Sequence, residues 1–229
     1  MLGTIVNTVA IICGCIVGLF IKGGISEKIS NTVMNGIALC VIYIGISGSL
    51  EGSNTLITII SMAIGSLIGE LVDIDKHLNK LGEYLEIKFS KKCDKGISIA
   101  QGFVSASLLF CVGAMAVVGS LESGLRGNHS TLFAKSILDG ISSIIFTASM
   151  GIGVIFSSVV VFLYQGIITI RASSLSIILS DDVVSSMTAI GSLLIMALGF
   201  NMIKVCNIKV ANLLPSMFIP VILGIFGMV

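Results

Sequence analysis

Two oppositely charged residues, Lys135 and Asp139, lie within a stretch of the chain that is otherwise made of apolar and small residues. They are four positions apart, so a helix places them on one face, where they can form an ion pair. Charged residues in apolar helices are energetically expensive and usually face protein or water, not lipid. This favours ion or solute binding, or proton uptake by Asp139. The alternative is an ion pair that stabilises a marginal helix, with Lys135 reaching outward.

Further polar side chains interrupt other apolar stretches, where each can line a polar pocket or form a hydrogen bond between helices. Pro215 is one of only two prolines. A proline removes a backbone donor, so it can free a carbonyl group for a cation or solute, or simply kink a helix. The candidate ion- or solute-binding residues are Asp139, Lys135, Gln165, Asn201, Ser142, Ser143, Asn7 and Pro215.

The elements that position these residues follow from composition. Charged residues make up 11% of the 229 residues and hydrophobic residues 55%, whereas ordinary soluble domains are about 25% charged. This excludes a soluble enzyme, a nucleic-acid-binding protein and a disordered chain. Scattered cysteines and the lack of a nucleophile or metal motif predict no catalysis, cofactor or metal site. We expect one integral membrane domain over residues 1–229.

A membrane-spanning helix needs about 20 mostly apolar residues. The sequence predicts an all-α bundle of about eight such spans. The division of residues 131–170 into two spans rests on a small-residue turn at residues 149–153. The predicted spans are Gly3–Ile21, Ile29–Leu50, Asn54–Val72, Ile97–Ser120, Thr131–Ser149, Gly151–Ile170, Val183–Ile203 and Val210–Val229.

Lysine and arginine are distributed unevenly between the two sides that eight spans define. Ten lie on one side, only Arg126 and Arg171 lie on the other, and Lys135 lies inside a span. The positive-inside rule makes the side with ten basic residues cytoplasmic, so both termini are predicted to lie outside.

The segment Asp73–Lys95 carries 11 of the 25 charged residues, and its apolar residues recur at steps of three and four. This pattern predicts an amphipathic helix on the cytoplasmic membrane surface. It either connects two spans or docks a partner.

Internal repeats are also indicated. Residues 40–51 and 111–122 both contain Cys-Val and, seven residues later, Gly-Ser-Leu-Glu. This offset of 71 predicts a parallel duplication of spans 2–3 and 4–5. A weaker match between residues 26–45 and 180–199 relates spans 2–3 to spans 7–8 in the opposite direction. Inverted repeats of this kind are typical of alternating-access transporters.

Ordered short motifs recur along the whole chain. They are Gly113-Ala114-Met115-Ala116, Lys135-Ser136-x-x-Asp139-Gly140, Gly151-x-Gly153-Val154, Tyr164-Gln165-Gly166, Gly199-x-Asn201 and Leu214-Pro215. This set resembles the motifs of the bacterial YqgA/YdfK family. That resemblance implies a multi-pass protein of the inner membrane in a family of unknown function, some members of which are described as transporters.

The sequence therefore favours a transporter of a small solute or ion in the bacterial cytoplasmic membrane. Its expected partners are the lipid bilayer, that solute and further copies of the chain. The alternative is a membrane scaffold or regulatory protein that transports nothing. A hydrated cavity reaching Asp139 would favour transport, whereas Lys135 and Asp139 paired in a dry helix interface would favour the scaffold.

Overall fold

The computed structural model describes residues 1–22, 27–52, 54–80, 99–112 and 114–226, and every regular element within them is helical. Two 3-10 segments, Ile152–Phe156 and Val210–Phe218, lead directly into α-helices. The principal α-helices are α1 (Leu2–Lys22), α2 (Glu27–Ser49), α3 (Thr55–Val72), α4 (Ile99–Cys111), α5 (Ala114–Leu125), α6 (Ser130–Met150), α7 (Ser157–Ile170), α8 (Ala172–Leu175), α9 (Asp181–Met202) and α10 (Ile219–Ile225).

Five helical stretches within the described residues are long and apolar enough to cross a membrane, and a sixth is added if α4 and α5 form one broken span. Two further apolar helices, Asn35–Ser49 and Val210–Ile225, are shorter. The all-helical membrane class is thus borne out, while the number eight stays a prediction. The five stretches are Leu2–Ile21, Thr55–Val72, Ser130–Met150, Ile152–Ile170 and Asp181–Met202.

Local sequence signals fix several helix ends. Asn54 precedes α3, and its side chain accepts hydrogen bonds from the backbone N–H groups of Leu56 and Ile57. Ser180 caps α9 in the same way through Val183. These caps satisfy backbone donors that the first turn of a helix leaves free.

The turn predicted between spans five and six is confirmed. α6 ends at Met150, and Gly151 adopts a φ of 82°, a conformation that favours glycine. The 3-10 segment Ile152–Phe156 follows, and α7 continues from it. A second break separates α4 from α5, whose axes differ by 59°.

The core is built around α9, which is buried on almost every side. Its residues Ile190 and Leu194 belong to the main hydrophobic cluster together with Phe110 and Val154. A helix that is apolar all round belongs in the interior of a bundle. The most extensive packing between elements joins α1 to α6, α2 to α9 and α3 to the segment Val210–Phe218.

Glycine contacts give the directions of these pairs. Gly3 lies against Leu132, and Gly14 lies against Ser143, so α1 and α6 run parallel. Along α2 the order is reversed, because Gly45 lies against Met196 whereas the later Gly48 lies against Ser192. α2 and α9 are therefore antiparallel.

The amphipathic segment Asp73–Lys95 is described only in part. Asp73 adopts a φ of 53° at the end of α3, and residues 74–80 are helical. Residues 81–95 of the predicted surface helix lie outside the described residues.

Candidate functional site

The helix α6 separates its polar and apolar residues onto opposite sides. Lys135, Asp139, Ser143 and Thr147 are buried, and they recur at every fourth position along one face. Its other side exposes large apolar side chains, namely Phe133, Ile137, Leu138, Ile141 and Ile145. Polar residues inside and apolar residues outside are what a membrane requires, because lipid cannot satisfy polar groups.

Helix α1 covers this polar face at very short range. Gly14 lies directly against the backbone carbonyl of Gly140 and the hydroxyl of Ser143, which leaves no room for a Cβ atom. Such small residues allow two helix backbones to approach closely in a membrane. This contact positions Asn7 of α1 next to Asp139.

The centre of the site is a cluster of Asn7, Lys135 and Asp139, which we call the buried triad. The Lys135 Nζ atom donates to Asp139 Oδ1 over 3.0 Å, and Asn7 Nδ2 donates to Asp139 Oδ2 over 2.9 Å. The side chains of Lys135 and Asp139 are only 7% and 8% exposed. Both carboxylate oxygens are therefore held, and Lys135 points into the protein and does not snorkel outward.

Two buried amide side chains, one on α1 and one on α7, contain polar atoms without a hydrogen-bond partner among the described residues. Gln165 on α7 is fully buried, and neither its Oε1 nor its Nε2 has a hydrogen-bond partner among the described residues. The Oδ1 atom of Asn7 is also buried and unpartnered. Buried polar groups are normally paired, so each such atom calls for an explanation.

The break between α4 and α5 lies next to these groups. Cys111, the last residue of α4, is within electrostatic range of Lys135 and Asp139 and also of Tyr164, the neighbour of Gln165. α7 itself packs against α1, α4 and α5. The triad, Gln165 and the broken span thus lie in one region of the bundle.

The two serines that follow Asp139, Ser142 and Ser143, have different surroundings. The Ser143 hydroxyl donates to the Gly140 carbonyl oxygen over 2.8 Å and packs against Gly14, so it belongs to the α1–α6 interface. Ser142 is half-buried on the same helix.

Asn201 and Pro215 are not brought to the triad by any hydrogen bond in the described part of the chain. The Asn201 amide bonds to both the N–H and the C=O of Ile208 and accepts from Cys206, so it holds the loop after α9. Pro215 lies in the 3-10 segment Val210–Phe218, which is unusually long for this type of helix.

A second cluster of a lysine, a carboxylate and an asparagine lies at the end of α3 opposite Asn54. We call it the exposed triad because its ion pair is exposed, although its asparagine, Asn212, is buried. Glu70 accepts from Lys209 Nζ over 2.8 Å through Oε1 and from Asn212 Nδ2 over 2.6 Å through Oε2. The Asn212 Oδ1 atom accepts from the backbone N–H of Asp75. The hydrogen bond and charge of Glu70, with smaller effects of Asp73 and Asp75, hold the pKa of Lys209 above its ordinary value.

Sequence reasoning missed the exposed triad as a unit. Glu70 and Lys209 are separated by 139 positions, and no local pattern links them. The one available signal was the small-residue pair Gly65 and Gly69, which fits tightly against Ser216 and Asn212. No group of three or more His, Cys, Asp or Glu side chains that could hold a metal ion occurs in the part of the chain described above.

Inward-facing charges, an apolar outer surface and at least five helices able to cross a bilayer define an integral membrane protein of the helix-bundle class. The chain belongs to the family described as "Protein of unknown function (DUF554)", whose model matches residues 2–225. The family resemblance seen in the motifs is therefore confirmed.

Two relatives align over nearly their full length. The chain is 33% identical over 224 residues to "Uncharacterized membrane protein YdfK" of Bacillus subtilis (strain 168), covering 96% of this chain and 94% of that protein. It is 27% identical over 224 residues to "Uncharacterized protein YqgA" of Escherichia coli (strain K12), with the same coverage. No solved structure matches the chain significantly.

Proposed function

We propose that this protein transports a small solute or ion across the bacterial cytoplasmic membrane, and that the buried triad with Gln165 forms its binding site. The observation that carries the proposal is the pair of buried amides with unpartnered atoms, Gln165 and Asn7, next to a buried ion pair. A polar solute or ion would supply the missing partners. The proposal includes no enzymatic step.

Energetics favour this over a purely structural pair. Polar and ionisable groups within membrane helices are rare and commonly mark substrate or ion pathways. An ion pair with a purely structural role needs partners only for its own charged groups, and Lys135 and Asp139 already have such partners. Burying the Gln165 amide without a hydrogen-bond partner costs free energy. An interface with a purely structural role would gain nothing in return for that cost.

The helix breaks support the same proposal. Transporters commonly build their sites at discontinuous helices, whose free backbone groups can contact a solute. Here α4 and α5 are separated close to Cys111, and 3-10 segments lead into α7 and α10. Long or mid-helix 3-10 stretches often mark hinges.

The bounds of two pairs of helices further support an inverted repeat within eight spans. Adding 154 to the bounds of α2 and α3 gives residues 181–203 and 209–226, and the observed elements are Asp181–Met202 and Val210–Ile225. α2 runs antiparallel to its counterpart α9. Rocking of two such units against each other would provide alternating access.

The parallel duplication is also part of the proposal. An offset of 71 relates the continuous α2 to the broken pair α4 and α5, whereas an offset of 75 relates α3 to α6. The Cys-Val sequence of residues 40–41 then corresponds to residues 111–112, where α4 ends. One copy of the unit would have acquired the break that the site uses.

A scaffold or regulatory role is the second candidate, and one observation favours it. Lys135 and Asp139 are paired and buried within the α1–α6 interface, which is the arrangement the scaffold alternative predicts. In the transport proposal this arrangement is the occluded state, and the site must open to water in another state.

Cys111 provides a native reporter of that opening. It is buried beside the triad, whereas Cys206 lies in the partly exposed loop after α9. Proteoliposomes would be treated with a membrane-impermeant maleimide, and the labelled peptides would be identified by mass spectrometry over time. Transport predicts slow labelling of Cys111 and fast labelling of Cys206. Complete protection of Cys111 on both sides of the membrane would favour the scaffold.

Solute dependence tests the site directly. Purified protein would be screened for thermal stabilisation by sodium, potassium and lithium salts and by the common amino acids, and flux of each stabilising solute would be measured in proteoliposomes. Asp139→Asn should weaken the response, whereas Glu51→Gln, an exposed carboxylate at the end of α2, should leave it unchanged. If Asp139→Asn and Lys135→Met both preserved every response, the site assignment would be wrong.

A further inference from the structure

An open groove of about 650 Å³ runs between the second half of α3 and the segment that follows α9. Its volume lies within the usual range for small-molecule sites. One end is polar and contains the exposed triad, and the other end is apolar. A groove with these two ends fits an amphiphile.

The polar end offers both signs of charge with free bonding capacity. The side chains of Lys209 and Glu70 are 53% and 59% exposed. Lys209 uses one of its three donors on Glu70, and the Glu70 carboxylate accepts only two of the roughly four bonds available to it. An ammonium group can therefore bind Glu70 while a phosphate binds Lys209. A purely anionic head group would meet Glu70 with repulsion.

The apolar end is formed by Ala63 and Leu67 of α3 and by Leu213 on the facing segment. Leu67 is 63% exposed on the apolar outer surface of the bundle. From Ala63 to Glu70 the helix rises about 10 Å. The groove thus begins among apolar side chains within a candidate span and ends at charged groups, as the upper part of a phospholipid does at a membrane interface.

We propose that this groove binds a phospholipid with an ethanolamine head group. The primary ammonium contacts Glu70, the phosphate contacts Lys209, and one acyl chain lies along Leu67 and Leu213. A choline head group lacks the N–H donors that Glu70 needs, and a glycerol head group lacks the positive charge. The site does not depend on transport or on the buried triad.

The test uses the full-length protein in detergent with phosphatidylethanolamine, phosphatidylcholine and phosphatidylglycerol of identical acyl chains. Lipid retention is measured by native mass spectrometry, and stabilisation is measured by thermal unfolding. We expect retention of phosphatidylethanolamine to exceed that of the other two by about two- to five-fold, because exposed ion pairs contribute modestly. Free phosphoethanolamine should give no shift, since it lacks the acyl chain.

Substitutions separate the two head-group contacts. Glu70→Gln should abolish the preference for ethanolamine over choline, and Lys209→Gln should lower retention of both lipids. Lys204→Gln removes an exposed lysine from the same loop, and Glu51→Gln removes an exposed carboxylate near the start of α3. Both should behave as the unchanged protein.

Three results would overturn the proposal: equal retention of the three lipids, an ethanolamine preference that survives Glu70→Gln, or an equal shift with free phosphoethanolamine. Loss of solute flux or of Cys111 labelling would bear on the proposed transport function alone. The two proposals can therefore fail separately.

Discussion

Lysine, a carboxylate and asparagine meet twice among the described residues, once in the buried triad and once in the exposed triad. The bonding is similar, since in both sites lysine and asparagine each donate to one carboxylate oxygen. The surroundings differ, because the buried pair is 7–8% exposed and the other pair is 53–59% exposed.

This difference in exposure controls what each charge contributes. Water screens the exposed pair, so its net contribution to stability is small. In the buried pair, each charge depends on its partner, since removing one leaves the other without solvent or a counter-charge. The combination of lysine, carboxylate and asparagine therefore stabilises the fold in the buried triad, whereas in the exposed triad its charged groups remain accessible to other molecules.

The largest effect is expected from Lys135→Met. It leaves Asp139 buried beside Asn7 alone, so the free energy of unfolding should fall by about 3–5 kcal/mol. The exposed counterpart Lys209→Met should lower it far less, because water screens that ion pair. Unfolding in mixed micelles with increasing denaturing detergent measures both. The double variant Lys135→Met with Asp139→Leu should recover most of the loss, and equal effects of the two single variants would remove the distinction between the triads.

Replacing the glycine that packs beside each triad should lower the stability of the protein by a similar amount at both sites. Gly14 lies against the backbone of Gly140, and Gly69 lies against the carbonyl oxygen of Asn212. Replacing either glycine by alanine should lower stability by about 1–3 kcal/mol, because backbone must shift. Gly36 has open space around it, so Gly36→Ala should leave stability unchanged or slightly higher. Thermal unfolding of the three variants tests this, and a harmless Gly69→Ala would contradict the observed fit.

A smaller effect is expected from Asn7→Leu. It removes one hydrogen bond to Asp139, and interhelical hydrogen bonds in membranes contribute about 1 kcal/mol. The same change removes the unpartnered Oδ1 atom, which limits the loss. Detergent-induced unfolding should show the shift. Thr8→Val, at the neighbouring position of α1, serves as the control because the Thr8 hydroxyl donates to the backbone carbonyl oxygen of Thr4 within the same helix. A loss as large as that of Lys135→Met would mean that Asn7 stabilises the carboxylate as strongly as Lys135 does, which would contradict this prediction.

The smallest effect is expected in how the stability of the protein depends on alkaline pH. Because contact with Glu70 raises the pKa of Lys209 in the folded protein, its contribution is complete below the unfolded pKa and is lost as pH rises through the folded pKa. The stability of the unchanged protein should therefore decline slightly more steeply in the alkaline range than that of Lys209→Met. A thermal unfolding series across alkaline pH measures the difference. Molar salt should reduce it, since salt screens exposed charges, and a difference that persisted unchanged in salt would point to another group.

The sequence predicted the parts of this site that depend on local spacing. Lys135 and Asp139 pair because they are one helical turn apart, and Ser143 and Thr147 share their face for the same reason. The end of α6 follows from Gly151. Burial of Gln165 follows from its position in an apolar helix.

Contacts between distant segments could not be predicted. Asn7 and Asp139 are 132 positions apart, and their meeting depends on the fit of α1 against α6. Asn201 looked like a site residue because it is polar within an apolar run, yet its bonds go to the backbone seven positions later. Polarity indicates that a group needs a partner, but tertiary packing decides which partner it finds.

The low apolarity of α6 has a consequence for how the protein is made. Of the five candidate spans, α6 has the lowest mean hydropathy and α1 has the highest. A charged residue near the centre of a nascent helix opposes its transfer from the translocon into lipid by about 2.5–3.5 kcal/mol. α1 precedes α6 in the chain and carries Asn7, which donates to Asp139. We therefore expect membrane insertion of α6 to depend on the presence of α1.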